Sequence, residues 1–207
     1  MAEKKIGMTL KEFGILAKVT DYVNYGDVVK RITDQRAKTI LMVSMIVEQA
    51  NCIDNIVQLN FLFGEEVDKE ALKERMGKLL WYLVVFCDKL RADLEKLAKY
   101  KSRISILSVN PALRSTSTFR LLIAKIILDL AIENQAVVVS KTFFKPSRSY
   151  GKMMVNLGKI INCLNSLMGL YGIKFSDVLE SYVQKQKKRF PRKFMEHFEK
   201  LTKENQK

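Results

Sequence analysis

Residues 27–63 contain neither glycine nor proline, and the same holds for residues 112–145. These two residue types are the strongest local breakers of regular structure, so their absence over such lengths points to long helices. Apolar side chains recur at three- and four-residue spacing through both stretches, as a buried helical face requires. The first reads as a helix from about Asp27 to Leu62, with Asp34 as the point where it would break; the second reads as a helix over Phe119–Thr142. The whole chain holds only nine Gly and three Pro in 207 residues, and 48% of it is apolar, enough to bury a core in one large or two small domains. The expected fold class is all-α.

Local punctuation supplies the other elements. In Met8–Thr20, Leu10, Phe13, Leu16 and Ala17 keep helical spacing, and Thr9 followed by Glu12 is a capping-box pattern. Gly64 interrupts the chain before Asp68, which can cap a helix over about 69–90; a shorter helix follows over about 93–101. The stretch SRISILSVNPALRSTST loses the helical period around Pro111 and reads as a linker. Beyond it, FFKPSRSYG reads as a loop and Lys152–Tyr171 as a helix closed by Gly172. Ser176 then caps a helix reaching Arg189, and Pro191 opens a last polar helix. The division is 1–104, a linker at 105–117, and 118–207.

The two halves align without gaps at an offset of 81 residues. Val57 falls on Val138, Phe63 on Phe144, Gly77-Lys78 on Gly158-Lys159, and Leu83 on Leu164. Apolar positions follow, as in Ile46/Ile127, Met76/Leu157 and Leu80/Ile161. Identities are few, but helix, loop, Gly-Lys and helix hold one register, which favours a duplication over two generic hairpins. Such a tandem pair is expected to pack as an intramolecular pseudo-dimer that buries one apolar face of each copy.

Charge divides unequally between the halves. Residues 1–104 carry 18 Lys/Arg and 15 Asp/Glu, a net of +3, whereas residues 105–207 carry 18 and 7, a net of +11. The second half is the anion-facing one, whether the anion is a nucleotide, a nucleic acid or an acidic protein. Cys52, Cys87 and Cys163 show neither disulfide nor zinc spacing and read as reduced thiols. No apolar segment follows MAEKKIG as a signal peptide would require, and the apolar run at 121–132 is short and broken by Lys125 and Asp129. A cytoplasmic location without membrane contact is the expectation.

Three phrases resemble the MazG-like all-α nucleoside triphosphate pyrophosphohydrolases. Met8-Thr9-Leu10-Lys11-Glu12-Phe13 is similar to an opening MTLKEY. Leu62-Phe63-Gly64 and the run from Asp68 to Leu83, containing ERMGKLLWY, are similar to LFHG…LDREALLEELGDVLWYLA. The run from Gly172 through Asp177-Val178-Leu179-Glu180 to Arg189-Phe190-Pro191 is similar to GISLEDVLEANLEKLRRRYP. The resemblance implies two tandem helical-bundle repeats. It also implies a metal site of two acidic pairs, E-x-x-E and E-x-x-D, each with both carboxylates on one helix face.

Here those acids are missing. The E-x-x-D positions fall on Arg75 and Lys78 in the first copy and on Asn156 and Lys159 in the second. The E-x-x-E positions read either as Glu48/Asn51 or Asn51/Asp54, and either as Asp129/Ile132 or Ile132/Gln135. None keeps both acids, so neither Mg²⁺ nor another cofactor is expected, and no residue is assigned a catalytic role. The basic end of the family motif survives in Lys185 and Arg189, while Tyr182 stands where the family has Asn. The expected reading is a pseudo-enzyme binding a nucleotide or other phosphorylated ligand through Arg75, Lys78, Lys159, Lys185 and Arg189. The alternative is an interaction module binding nucleic acid or an acidic protein, with Phe190 and Phe194 as stacking groups beside the basic run 184–194; a residual pyrophosphohydrolase is the least favoured. Chains of this kind also occur in phages, where a degenerate copy would act on nucleotide signalling. For a lone lysine like Lys78 the plain alternative is an aliphatic stem on the core with its ammonium in water. Trp81 and Tyr82 are expected in the core, His197 is expected to have no catalytic part, and Asp54, Glu65, Glu66, Glu70 and Asp88 are expected to form a solvated charged face.

Overall fold

The structure, a computed structural model, describes residues 7–19, 35–64, 66–100, 117–143 and 149–204. Among these residues there are eight helices and no strand. They are α1 (Leu10–Val19), α2 (Gln35–Phe63), α3 (Lys69–Lys89), α4 (Leu94–Leu97), α5 (Ser117–Phe143), α6 (Ser149–Leu170), α7 (Phe175–Arg189) and α8 (Pro191–Glu204). The capping box opens α1 as its sequence requires. Thr9 N donates to Glu12 Oε2 at 2.7 Å, and Glu12 N donates back to Thr9 Oγ1 at 3.2 Å, pairing donors that a helix start leaves open. Asp68 caps α3 through Glu70 N and Ala71 N, both at 3.0 Å.

Several expected ends are corrected. Residues 105–116 of the expected linker, and the expected start at Asp27 and break at Asp34, lie outside the described residues, and Ser117 is already helical. α4 is a single turn, not a helix through 101. Tyr150 and Gly151 were expected in a loop but belong to the first turn of α6. α7 starts at Phe175 behind Lys174, so Ser176 is inside the helix and is not its cap. Gly172 closes α6 as expected, at φ 68°, with Ile173 N bonded to Met168 O and Gly172 N to Gly169 O. The end of α3 has the same two bonds, Ala92 N to Cys87 O and Arg91 N to Asp88 O, with Arg91 in the left-handed region at φ 54°.

The core lies along an antiparallel seam between α2 and α5. Near one end Gln135 Nε2 donates to Ser44 Oγ at 2.9 Å, and near the other Lys125 Nζ lies 3.8 Å from Asp54 Oδ2. Met42, Ile46, Ala50 and Ile53 from α2 and Ile127 and Ala131 from α5 are buried. Asp54 corrects an expectation: it is 1% exposed, takes a 2.6 Å hydrogen bond from Gln58 and is not on a solvent face. Residues 37–63 of α2 are long and apolar enough to cross a membrane by length and composition alone.

α3 lies against α2, and α6 lies against α5. The segment after each of these second helices packs on the other half: α4 on α6, and α7 on α3. A glycine sits at each crossing. A Cβ on Gly77 would lie 2.9 Å from Tyr182 Cβ, and one on Gly158 would lie 2.3 Å from the Leu97 carbonyl oxygen. Asn162, one turn beyond Gly158, ties the crossing by donating to Ala98 O at 3.1 Å and Tyr100 O at 2.7 Å. α1 covers α3, α4 and α7, with Phe13 edge-on to the buried Trp81 at 5.3 Å between ring centroids.

Two glycines of α6 separate crossing geometry from helix propensity. Nothing lies within 4 Å of a Cβ on Gly169, so Gly169→Ala should stabilise the protein by about 0.5–1 kcal/mol. Gly158→Ala should destabilise it by about 1–3 kcal/mol, because the obstacle is a backbone oxygen. Urea unfolding midpoints of the two variants, shifted in opposite directions, are the expected result.

Candidate anion-binding site

Two side-chain stripes face each other where α7 crosses α3. On α3, Glu74, Lys78 and Tyr82 follow at four-residue spacing and so share a face. On α7, Tyr182, Lys185, Gln186 and Arg189 follow at helical spacing. Gly77 lets Tyr182 come down onto Trp81, with ring centroids 5.3 Å apart. Across this crossing Lys185 is ion-paired with Glu74.

Arg75 and Lys78 also act on the Glu74 carboxylate. Its pKa is held below the usual carboxylate value chiefly by the hydrogen bond from Lys185, against an opposing burial effect, with the charges of Lys185, Arg75 and Lys78 adding to the lowering. Lys78 Nζ lies 5.9 Å from the Tyr82 ring centroid, so its stem follows the core while its ammonium stays at the crossing. Arg189 lies over the Phe190 ring at 5.1 Å, and its charge reaches both Tyr82 and Tyr182. Burial pushes Tyr82 up to about 12, with Glu48 adding to the shift, and burial likewise raises Tyr182. Both phenols therefore remain hydrogen-bond donors at neutral pH. Beside the crossing an open cleft of about 360 Å³ is lined by Asp68, Lys73, Glu74, Ser181, Tyr182 and Lys185.

Four of the five expected site residues thus gather around one crossing: Arg75, Lys78, Lys185 and Arg189. Lys159 stands elsewhere. It faces Glu133 on α5, whose carboxylate is ion-paired with Lys152 and accepts from Asn156 Nδ2 at 2.7 Å. Phe194 is 3% exposed, which removes it as a stacking group for a nucleobase. His197 is half-buried and does not stand on an exposed face. Trp81 and Tyr82 are core residues, each 1% exposed.

The contacts also identify which residues meet the second helices. Arg75 Nη1 reaches Gln49 Oε1 at 3.4 Å, and Asn156 meets Glu133. Neither Gln49 nor Glu133 belongs to the registers expected from the sequence. Glu48, Asn51 and Asp129 are exposed, Asp54 turns to Lys125, and Gln135 turns to Ser44. Gln49 was detectable as a polar residue within the apolar stripe Met42, Ile46, Ile53; it is fully buried and its Nε2 has no hydrogen-bond partner. Glu74 carries a weaker signal, its four-residue spacing to Lys78. Among the described residues no three His, Cys, Asp or Glu side chains converge as a metal site would need.

Glu74 and Glu133 both have folded-state pKa values below their ordinary 4.5. A depressed carboxylate stabilises the fold above its unfolded value, and that contribution is lost as pH falls through the folded value. Urea midpoints should therefore drop as pH is lowered from about 5 to about 3, with a shallower drop in Glu133→Gln. Parallel curves for parent and variant would mean that the Glu133 pairs contribute none of the acid sensitivity.

No family model, curated protein or solved structure matches the chain.

Proposed function

We propose that this chain is a catalytically silent, MazG-like tandem repeat that binds the phosphates of a nucleotide or similar ligand where α7 crosses α3. The single observation carrying the binding reading is the convergence of Arg75 and Lys78 from one half with Lys185 and Arg189 from the other. These side chains are more than 100 residues apart in the chain, yet all four act on Glu74, Tyr82 or Tyr182. Ammonium and guanidinium groups suit phosphate oxygens.

The repeat reading has independent support in the offset of 81 residues. Shifted by that amount, α2 falls on 116–144 against 117–143 for α5, and α3 falls on 150–170 against 149–170 for α6. The two helix-end hydrogen bonds at Arg91 and Ala92 recur at Gly172 and Ile173 with every residue shifted by 81. The seam is reciprocal under the same shift. Ser44 meets Gln135, the counterpart of Asp54, while Asp54 meets Lys125, the counterpart of Ser44. A two-fold interface has that property: if i touches j of the other copy, j touches i.

On this reading the first acidic pair lies at Gln49/Cys52 and Leu130/Glu133, and the second at Arg75/Lys78 and Asn156/Lys159. Only Glu133 of these eight side chains is a carboxylate, and Lys152 and Asn156 already engage it. Such a donor set does not fit Mg²⁺, which requires oxygen ligands in near-octahedral geometry. The residues act by binding alone: the cations neutralise phosphate charge.

Native mass spectrometry with added nucleoside di- and triphosphates should show a retained ligand. By calorimetry, Lys78→Glu and Lys185→Glu should each weaken it about 10- to 100-fold, the loss of a charge-assisted contact. Lys159→Glu should leave it unchanged. Absence of binding in the parent protein, or an equal loss in Lys159→Glu, would reject the assignment. Mg²⁺-dependent phosphate release abolished by Glu133→Gln would reject catalytic silence.

A further inference from the structure

The cations of the cleft are not vacant. Lys185 is paired with Glu74, and Lys73 lies 3.6 Å from Glu70. Asp68 Oδ1 takes the first free N–H groups of α3. Three carboxylates of one short stretch therefore occupy the positive groups that a phosphate would use. Glu74 differs from the other two in its reach. Glu70 and Asp68 bond within their own helix turn, whereas Glu74 spans the crossing to α7.

We propose that Glu74 is a built-in competitor for ligand phosphate, so that the site selects a polyphosphate over a singly charged phosphate ester. The proposal rests on the phosphate-binding reading above. Its physical basis is substitution of one anion for another. An incoming group takes Lys185 only by displacing a carboxylate that already interacts favourably with Lys185, Arg75 and Lys78. A monoanion brings no more charge than the carboxylate it displaces, and so gains little. A di- or triphosphate brings several charges to the same cations and also reaches Arg189 at the far end of the stripe. The pair is half-exposed, with side chains 53% and 49% accessible, so the displaced carboxylate has water to enter. That exposure also keeps the pair weak enough to open.

The internal anion acts on ligand choice and not as a pH switch in the neutral range. Glu74 stays ionised there because Lys185, Arg75 and Lys78 hold its pKa below the ordinary value. The other charged groups facing the crossing are Glu48 from α2 and Arg189 from α7.

The experiment is calorimetry at about pH 6, where orthophosphate is mainly a monoanion and Glu74 is still ionised, with inorganic tripolyphosphate and orthophosphate, which removes any contribution from a base or sugar. The parent protein should bind tripolyphosphate and discriminate against orthophosphate by at least about tenfold, since several phosphate contacts replace one. Glu74→Gln should bind both more tightly, by up to roughly fivefold for tripolyphosphate, the upper range of an exposed ion pair, and by more for orthophosphate. Glu74→Asp, which shortens the reach to Lys185 but keeps the charge, should fall between. If the parent binds tripolyphosphate and Glu74→Gln binds it equally or less well, the competitor role is wrong while the binding site stands. Loss of binding together with a lowered melting temperature would make Glu74 a docking contact of α7 and would equally overturn the proposal. If neither protein binds tripolyphosphate, both the competitor and the phosphate site fall.

Discussion

The buried carboxylate of Asp54 sets the seam on which the fold depends. A carboxyl group that is 1% exposed needs partners, and α2 alone gives it only Gln58. The charge comes from Lys125 on α5, so α2 and α5 must lie antiparallel at one register for the pair to form. Sliding either helix by one turn would leave the carboxylate uncompensated, a penalty of several kcal/mol. Apolar burial along the seam drives association but is indifferent to register; Asp54–Lys125 and Ser44–Gln135 specify it. With that register fixed, α3 and α6 are carried to opposite ends of the seam, and the segments following them have the other half within reach.

The exchange of those segments is what makes the candidate site. Had α7 packed on its own half, Lys185 and Arg189 would have joined Asn156 and Lys159. Instead α7 crosses α3, and its basic stripe meets Arg75 and Lys78. Gly77 permits that crossing: any side chain there would meet Tyr182 and lift α7 away. The counterpart crossing at Gly158 receives α4 and Tyr100, which bring no comparable basic stripe. The two crossings are thus chemically unequal although their backbone solutions correspond. One gathers cations around Glu74; the other is stabilised by Asn162 bonding to backbone carbonyls.

Much of this was legible in the sequence, because helix boundaries depend on local chemistry. Thr9 with Glu12, Asp68 and Gly172 act within one turn of their own position, and each did what its type predicts. Ser176 failed as a cap because the turn after Gly172 had already set the chain into helix at Phe175, leaving no unpaired N–H for it. Side-chain direction on a long helix was harder to read. α2 has apolar residues over much of its circumference, so the period alone does not say which polar residue faces α3. Glu48 is exposed while its neighbour Gln49 is fully buried, and a rotation of 100° between adjacent residues separates the two outcomes. The position of Lys159 was legible only as an equivalence with Lys78. Positions that correspond under the 81-residue offset need not share a site when the third wall of each site comes from the opposite half.

Arg75 and Lys78 set the sign of the charge around Glu74. Both side chains leave the helix at the edge of the core, where a long aliphatic stem packs as well as a short acid and carries its head to solvent. The carboxylate remaining nearby then changes role. Among acids, Glu74 would be one more repulsive charge needing a cation; among Arg75, Lys78 and Lys185, it is the anion they share. Four cations at one crossing repel one another across α3 and α7, and the carboxylate eases that repulsion. Its pair with Lys185 is half-exposed, so it does this without holding the crossing, which rests on the buried packing of Tyr182 against Trp81.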